Sequence, residues 1–212
     1  MRSKLYQFSV YFFLIFPFSL SAYAADGLKL VVLGDSLSAG YQLAPGGSFP
    51  SQLQNALTEG GYDVEVVNAG VSGDTSSGGL SRLDWSVGPD VDAVIVELGA
   101  NDMLRGISPE LTRKNISEIA TRLKERGVEM LITGMIAQSN LGEDYSAAFD
   151  PIFAEVATEN EALFYPFFLE GVALKPELNL ADGMHPNAEG VSVIVQNMLP
   201  KVEELLERAG SS

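Results

Sequence analysis

Apolar runs that stop at glycine, separated by stretches with helical spacing, leave few folds open to this chain. Leu28–Gly34 (LKLVVLG) is one such run, and Val91–Leu98 (VDAVIVEL), closed by Gly99, is another. A continuous apolar run of this length reads as a strand buried on both faces, the usual state in a parallel sheet. Tyr62–Val67, Val128–Ile136 and the short Ala162–Tyr165 read as further strands. Phe49–Leu57, Ser76–Val87, Pro109–Arg126, Tyr145–Asn160 and Pro186–Ala209 read as the helices between and after them. Gly60, Gly61 and Gly127 mark helix ends, and Pro109 stands where a helix starts. This alternation predicts βαβ units and an α/β fold: a central, mostly five-stranded parallel sheet with helices on both faces, in three layers. Ligands of such sheets bind beyond the carboxyl ends of the strands. The residues that follow each strand therefore carry the functional argument.

The first 24 residues stand apart. Arg2 and Lys4 precede an uncharged run from Tyr6 to Leu20, and Ala22-Tyr23-Ala24 supplies small residues at signal-peptidase spacing. This predicts a secretory signal over 1–24, cleaved after Ala24, and a single domain over 25–212. The run is short for a membrane span and is interrupted by Pro17. No cysteine follows it to carry a lipid. The expected destination is across the inner membrane, in the periplasm, with no stable membrane insertion after cleavage.

Composition removes several classes of function. A net charge of −15 argues against nucleic acid and anionic membrane surfaces as partners. The absence of cysteine excludes disulfides, thiolate metal sites and cysteine nucleophiles. With one histidine, His185, a multi-histidine zinc site is excluded too. Neither a metal nor another cofactor is expected. The expected partner is a small-molecule or lipid ester, and the expected state is a monomer.

Four polar clusters follow the strands or precede the last helix. Gly34-Asp35-Ser36-Leu37-Ser38 comes directly after the first strand. It places Ser36 at the sheet's carboxyl edge, with its N–H near a helix start that favours negative charge. It is not a G-x-S-x-G elbow, because Ser38 stands two beyond Ser36. Asn68–Thr75 is glycine-rich and offers N–H groups that could face an anion. Gly99-Ala100-Asn101-Asp102 offers a carboxamide that could donate to an oxyanion. Asp182-Gly183-Met184-His185-Pro186 spaces a carboxylate to orient the imidazole, leaving its far nitrogen free as a base. Each cluster also fits a structural reading: a helix cap at Ser36, Asp35 or Asn101, a tight turn at 68–75, a surface histidine at 185. Together they supply what acyl transfer through a covalent serine intermediate needs.

At these residues the sequence resembles the SGNH (GDSL-type) hydrolases. The blocks stand in order as Gly34-Asp35-Ser36, Gly73, Gly99-x-Asn101-Asp102 and Asp182-x-x-His185-Pro186. The resemblance implies a flavodoxin-like three-layer fold and a triad of Ser36, His185 and Asp182. It also implies an oxyanion hole made by the N–H groups of Ser36 and Gly73 and the Asn101 amide. The residues alone do not choose Gly73 over Gly70. Val66–Ala69, Ser72–Thr75, Val96–Gly99, Leu104-Arg105-Gly106 and Leu174-Lys175-Pro176 are similar to the small periplasmic group of thioesterases, lysophospholipases and arylesterases. Asp35, Leu37, Met103, Leu104, Ile107, Gln138 and Leu141 are the candidate substrate-binding residues. The segment Ala137–Gly142 departs from that group: Gln138 replaces a common proline and Leu141 an aromatic residue, so acyl-length preference is not carried over. The expected activity is hydrolysis of acyl esters, lysophospholipids and thioesters. Two rivals are a carbohydrate O-deacetylase on the same fold, which needs a short polar pocket, and a non-enzymatic binding protein, which predicts a missing site residue.

Overall fold

The structure is a computed structural model and describes residues 27–211. The expected signal segment lies outside the described residues. The elements run β1 (Leu28–Gly34), α1 (Ser36–Ala39), α2 (Phe49–Glu59), β2 (Val64–Gly70), α3 (Ser76–Ser81), α4 (Leu83–Ser86) and β3 (Ala93–Glu97). They continue with α5 (Ala100–Leu104), α6 (Pro109–Glu125), β4 (Glu129–Thr133), α7 (Glu143–Phe149), α8 (Ile152–Glu159), β5 (Leu163–Tyr165) and α9 (Ala188–Ala209). Short 3-10 turns at Ser139–Leu141 and Pro176–Leu178 complete the list.

The strands form one five-stranded sheet in the order β2-β1-β3-β4-β5, every neighbouring pair parallel. The chain moves from β1 to β2 on one side and crosses back to β3 on the other. The crevice between the ends of β1 and β3 is therefore the topological switch point, where open α/β sheets bind ligands. Ser36 follows β1 and Asn101 follows β3, so two of the four clusters meet there.

Burial explains why these runs became strands. Leu30, Val31, Val32 and Leu33 of β1 are at most 1% exposed, which requires cover on both faces. On one face α2 packs against α9; on the other α6 packs against α3 and α8. Phe49, Leu53 and Leu57 line the inner side of α2, and Ile194, Met198, Val202 and Leu205 that of α9, spaced as a helical face demands. Ser48 and Ser108 cap α2 and α6, each side chain accepting from the N–H three residues on. Each cap contributes about 1 kcal/mol. Among the described residues, no helix is long and apolar enough to cross a membrane.

Two of the expected helices are broken. Ser76–Val87 divides into α3 and α4 at Arg82, whose backbone leaves the helical region. Tyr145–Asn160 divides into α7 and α8 at Asp150-Pro151. Proline has no N–H to donate and its ring meets the carbonyl four residues back, so the first helix ends there. β2 begins and ends later than expected, at Val64 and Gly70, which lets it pair along the whole of β1.

Candidate active site

Asp35 turns the chain from β1 into α1 and caps that helix, Oδ1 accepting the Leu37 N–H at 2.9 Å. The cap role thus falls to Asp35, and Ser36 is the first helical residue with its hydroxyl free for other use. Ser36 Oγ lies 2.9 Å from His185 Nε2, and His185 Nδ1 lies 2.7 Å from Asp182 Oδ2. Asp182 Oδ1 accepts the N–H groups of His185 at 3.0 Å and Met184 at 2.9 Å. Those two bonds, with the imidazole, bring the Asp182 carboxyl down to about 2. An ionised carboxylate only accepts, so Nδ1 carries the imidazole proton. Nε2 is left as an acceptor for the Ser36 hydroxyl.

The loop holding Asp182 and His185 is pinned at both ends. Leu180 donates to the His185 carbonyl at 2.7 Å, and Asn179 bridges antiparallel to Pro186. The Asn179 amide donates to the carbonyls of Val172 and Lys175. Asn187 caps α9, accepting from the N–H groups of Glu189 and Gly190. Tyr41 lays its ring beside the imidazole, centroids 4.6 Å apart.

Asn101 stands across the crevice and donates from Nδ2 to Asp35 Oδ2 at 2.8 Å. It lies within α5, whose cap is Gly99, so the Asn-Asp cap reading does not apply. Asp35 is fully buried, and burial pushes its carboxyl up to about 6 against the pull of the Leu37 N–H and the Asn101 amide. Asp102, also fully buried, accepts from the Ser76 N–H at 2.7 Å, from the Ser76 hydroxyl and from the Thr112 hydroxyl at 3.1 Å. It thereby fastens α5 to α3 and α6. Arg105 links the two remaining parts: its N–H donates to the Asn101 carbonyl at 3.1 Å and its guanidinium to the Gly73 carbonyl at 2.6 Å. Arg82 spans the strand ends, donating to the carbonyls of Gly34 at 2.8 Å and Ala69 at 2.6 Å and to Asp74 at 2.6 Å.

The candidate substrate-binding residues divide. Leu104 is 49% exposed, Gln138 is exposed, and Ile107 and Leu141 are half-buried. Leu37 and Met103 are buried, and the Met103 sulfur accepts the Gln138 N–H at 3.2 Å. Asp35 is a correction: with no exposed surface and both oxygens bonded within the protein, it has nothing to offer a substrate. Four site residues escaped the sequence reading: Tyr41, Arg82, Arg105 and Glu97. Glu97 carried a legible signal, a carboxyl directly after the apolar stretch Ala93–Val96 and within the expected strand.

The GDSL-like Lipase/Acylhydrolase family pattern matches residues 32–193. An arylesterase of Vibrio mimicus is 42% identical over 177 residues, which are 83% of this chain and 88% of that protein. The thioesterase 1/protease 1/lysophospholipase L1 of Escherichia coli K12 is 34% identical over 205 residues, 96% of each chain. A solved structure of TesA superposes with a TM-score of 0.79 at 36% identity, covering 84% of this chain and 99% of that one.

Proposed function

The chain belongs to the GDSL-like lipase/acylhydrolase family, the SGNH hydrolases, and from that premise we propose that it is a carboxylic ester hydrolase working through an acyl-enzyme on Ser36. The observation that carries the reading is the line Ser36 Oγ, His185 and Asp182, with spacings of 2.9 and 2.7 Å. Ser36 Oγ attacks the acyl carbonyl while His185 Nε2 takes its proton. His185 returns that proton to the leaving oxygen or sulfur, and the acyl group stays on Ser36. Water then enters, gives a proton to Nε2 and bonds to the acyl carbon; the bond to Ser36 Oγ breaks, Nε2 returns the proton to Oγ, and the acid leaves. Asp182 remains ionised and steadies the imidazolium between the two transfers. The N–H groups of Ser36 and Gly73 receive the developing oxyanion. Asn101 has two amide hydrogens, of which Asp35 takes one, leaving one for the same oxygen.

Acyl esters, lysophospholipids and acyl thioesters are the substrates this reading names. Exposed Leu104 and half-buried Ile107 and Leu141 suit a hydrocarbon chain better than an acetylated sugar. Export to the periplasm by cleavage after Ala24, and a monomeric mature domain, belong to the same proposal. The test is hydrolysis of p-nitrophenyl esters from acetyl to palmitoyl by the mature protein and by Ser36→Ala. Activity that rises with acyl length and vanishes in the variant supports the reading; activity retained by Ser36→Ala removes the nucleophile.

A further inference from the structure

Glu97 is the last residue of β3 and has no exposed surface. A carboxyl in such a place is costly unless its polar atoms are engaged. Its Oε2 accepts two hydrogen bonds, from the Asp35 N–H at 3.2 Å and from the Ser38 hydroxyl at 2.7 Å. Those two donors stand on either side of Ser36 in the chain. Sheet register puts Gly34 opposite Glu97. A Cβ on Gly34 would lie 2.6 Å from Glu97 Oε2 and 2.3 Å from Ser38 Oγ. Glycine before the turn is therefore what lets the carboxyl reach across from β3.

We propose that Glu97 is a positioning residue for Ser36: its carboxyl, gripping the Asp35 N–H and the Ser38 hydroxyl, fixes the turn that aims Ser36 Oγ at His185. The proposal rests on the reading of Ser36 as the nucleophile. Glu97 does not touch the imidazole, and acts through Asp35, the residue before the serine, and Ser38, two residues after it. Its second oxygen, Oε1, has no hydrogen-bond partner. Burial, then the neighbouring Asp35 carboxyl, hold the acid well above the usual carboxylate range. Both donors thus meet the same oxygen, Oε2. What the turn uses is an acceptor at one point, not a charge.

That distinction sets the test. A glutamine keeps an acceptor oxygen at the same reach. A leucine fills similar space and strands two buried donors, which shift the turn to find other partners. A displacement of roughly 1 Å at a reacting group costs on the order of 10²-fold in rate. Glu97→Leu is expected to slow both kcat on p-nitrophenyl butyrate and labelling by a fluorophosphonate on the order of 10²-fold, with KM unchanged. Glu97→Gln should stay within roughly fivefold of wild type, the scale of one neutral hydrogen bond. Ser36→Ala is run beside them: labelling that persists there sinks the nucleophile reading itself. If Ser36→Ala is dead while folded Glu97→Leu keeps the wild-type rate, the nucleophile stands and the positioning role falls. A glutamine variant as slow as the leucine variant overturns it also, because charge would then be the operative property. Should Glu97→Leu fail to fold by circular dichroism, Ser38→Ala decides: a lowered kcat at unchanged KM supports the role, and an unchanged kcat ends it.

Discussion

Asn101 donates its side-chain amide to Asp35 at 2.8 Å, so the residue before Ser36 orients a group on the opposite wall of the crevice. Asp35 serves two donors at once, since its other oxygen accepts the Leu37 N–H at 2.9 Å. An amide of the same shape accepts at one end and donates at the other. Asp35→Asn must therefore set an N–H against either Asn101 or Leu37. Losing an oxyanion donor outright costs about 10²–10³ in kcat, and losing only its orientation should cost less, on the order of tenfold. Steady-state kinetics on a short-chain p-nitrophenyl ester check this. A variant with wild-type kcat would mean that the Asn101 amide is oriented by something else.

Activity and stability should part company between about pH 6 and pH 4. The Asp35 carboxyl has a folded-state pKa of about 6 against an ordinary 3.8. The folded protein therefore holds this proton more tightly than the unfolded chain. Its contribution to stability is present in full below 3.8 and is lost as pH rises through about 6. Acidification through this window thus favours the fold, yet it protonates Asp35, which must accept at both oxygens. Asp182, lowered to about 2, has the opposite sign: its stabilisation is present above 3.8 and fails as pH drops through about 2. Melting temperature and kcat/KM measured from pH 8 to pH 4 should show the rate falling while the melting temperature does not. A melting curve that falls in step with the rate would refute the Asp35 assignment.

Arg82 should matter for both stability and rate. Its guanidinium donates to the carbonyls closing β1 and β2, to the Ser86 hydroxyl and to Asp74, the neighbour of Gly73. An ammonium group has no planar fork and cannot reach carbonyls and carboxylate together. With both side chains of the Arg82–Asp74 pair under 20% exposed, Arg82→Lys is expected to lose bonds to charged groups worth about 1.5–3 kcal/mol. Thermal denaturation reads that loss, and kcat should fall with it because the Gly73 loop loses its anchor to the Ser36 turn. A lysine variant with unchanged melting temperature would show that the strand-end carbonyls are satisfied without Arg82.

The sequence made the sheet legible because parallel strands buried on both faces leave unbroken apolar runs, as Leu30–Leu33 and Ala93–Val96 do. Ser36 and Asn101 follow β1 and β3, where the strand-end rule looks for a site, while His185 was singled out by its spacing from Asp182 before the last helix. The partners that hold them did not follow. Asp35 was open to two readings, a helix cap or a substrate contact, and only its full burial and its bonds to the Leu37 N–H and the Asn101 amide decide for the cap. Arg82 was hidden inside an expected helix that the structure breaks at that residue. Its value lies in long-range carbonyls that no local pattern reports. Glu97 broke the apolar pattern of its strand in plain view, but its purpose depends on the register that sets it opposite Gly34.

Gly99 shows how tightly the second wall is built. It caps α5 with φ 115°, a backbone state that side-chain-bearing residues rarely adopt. A Cβ there would also stand 2.7 Å from the Phe153 ring, which is fully buried on α8 and stacked edge-on against Phe149 at 5.5 Å. Neither ring has space to retreat, because both lie in the close-packed core under α6. Gly99→Ala therefore carries backbone strain of about 1–3 kcal/mol. The overpacking adds a further ~1–3 kcal/mol. Relief would come from moving the Gly99–Asn101 turn outward, which carries the Asn101 amide away from Asp35. The expected outcome is a lower melting temperature together with a reduced kcat at little-changed KM. An alanine variant that melts lower but keeps its full kcat would place the relaxation in Phe153 instead, and would show that the Asn101 amide is held independently of the turn that presents it.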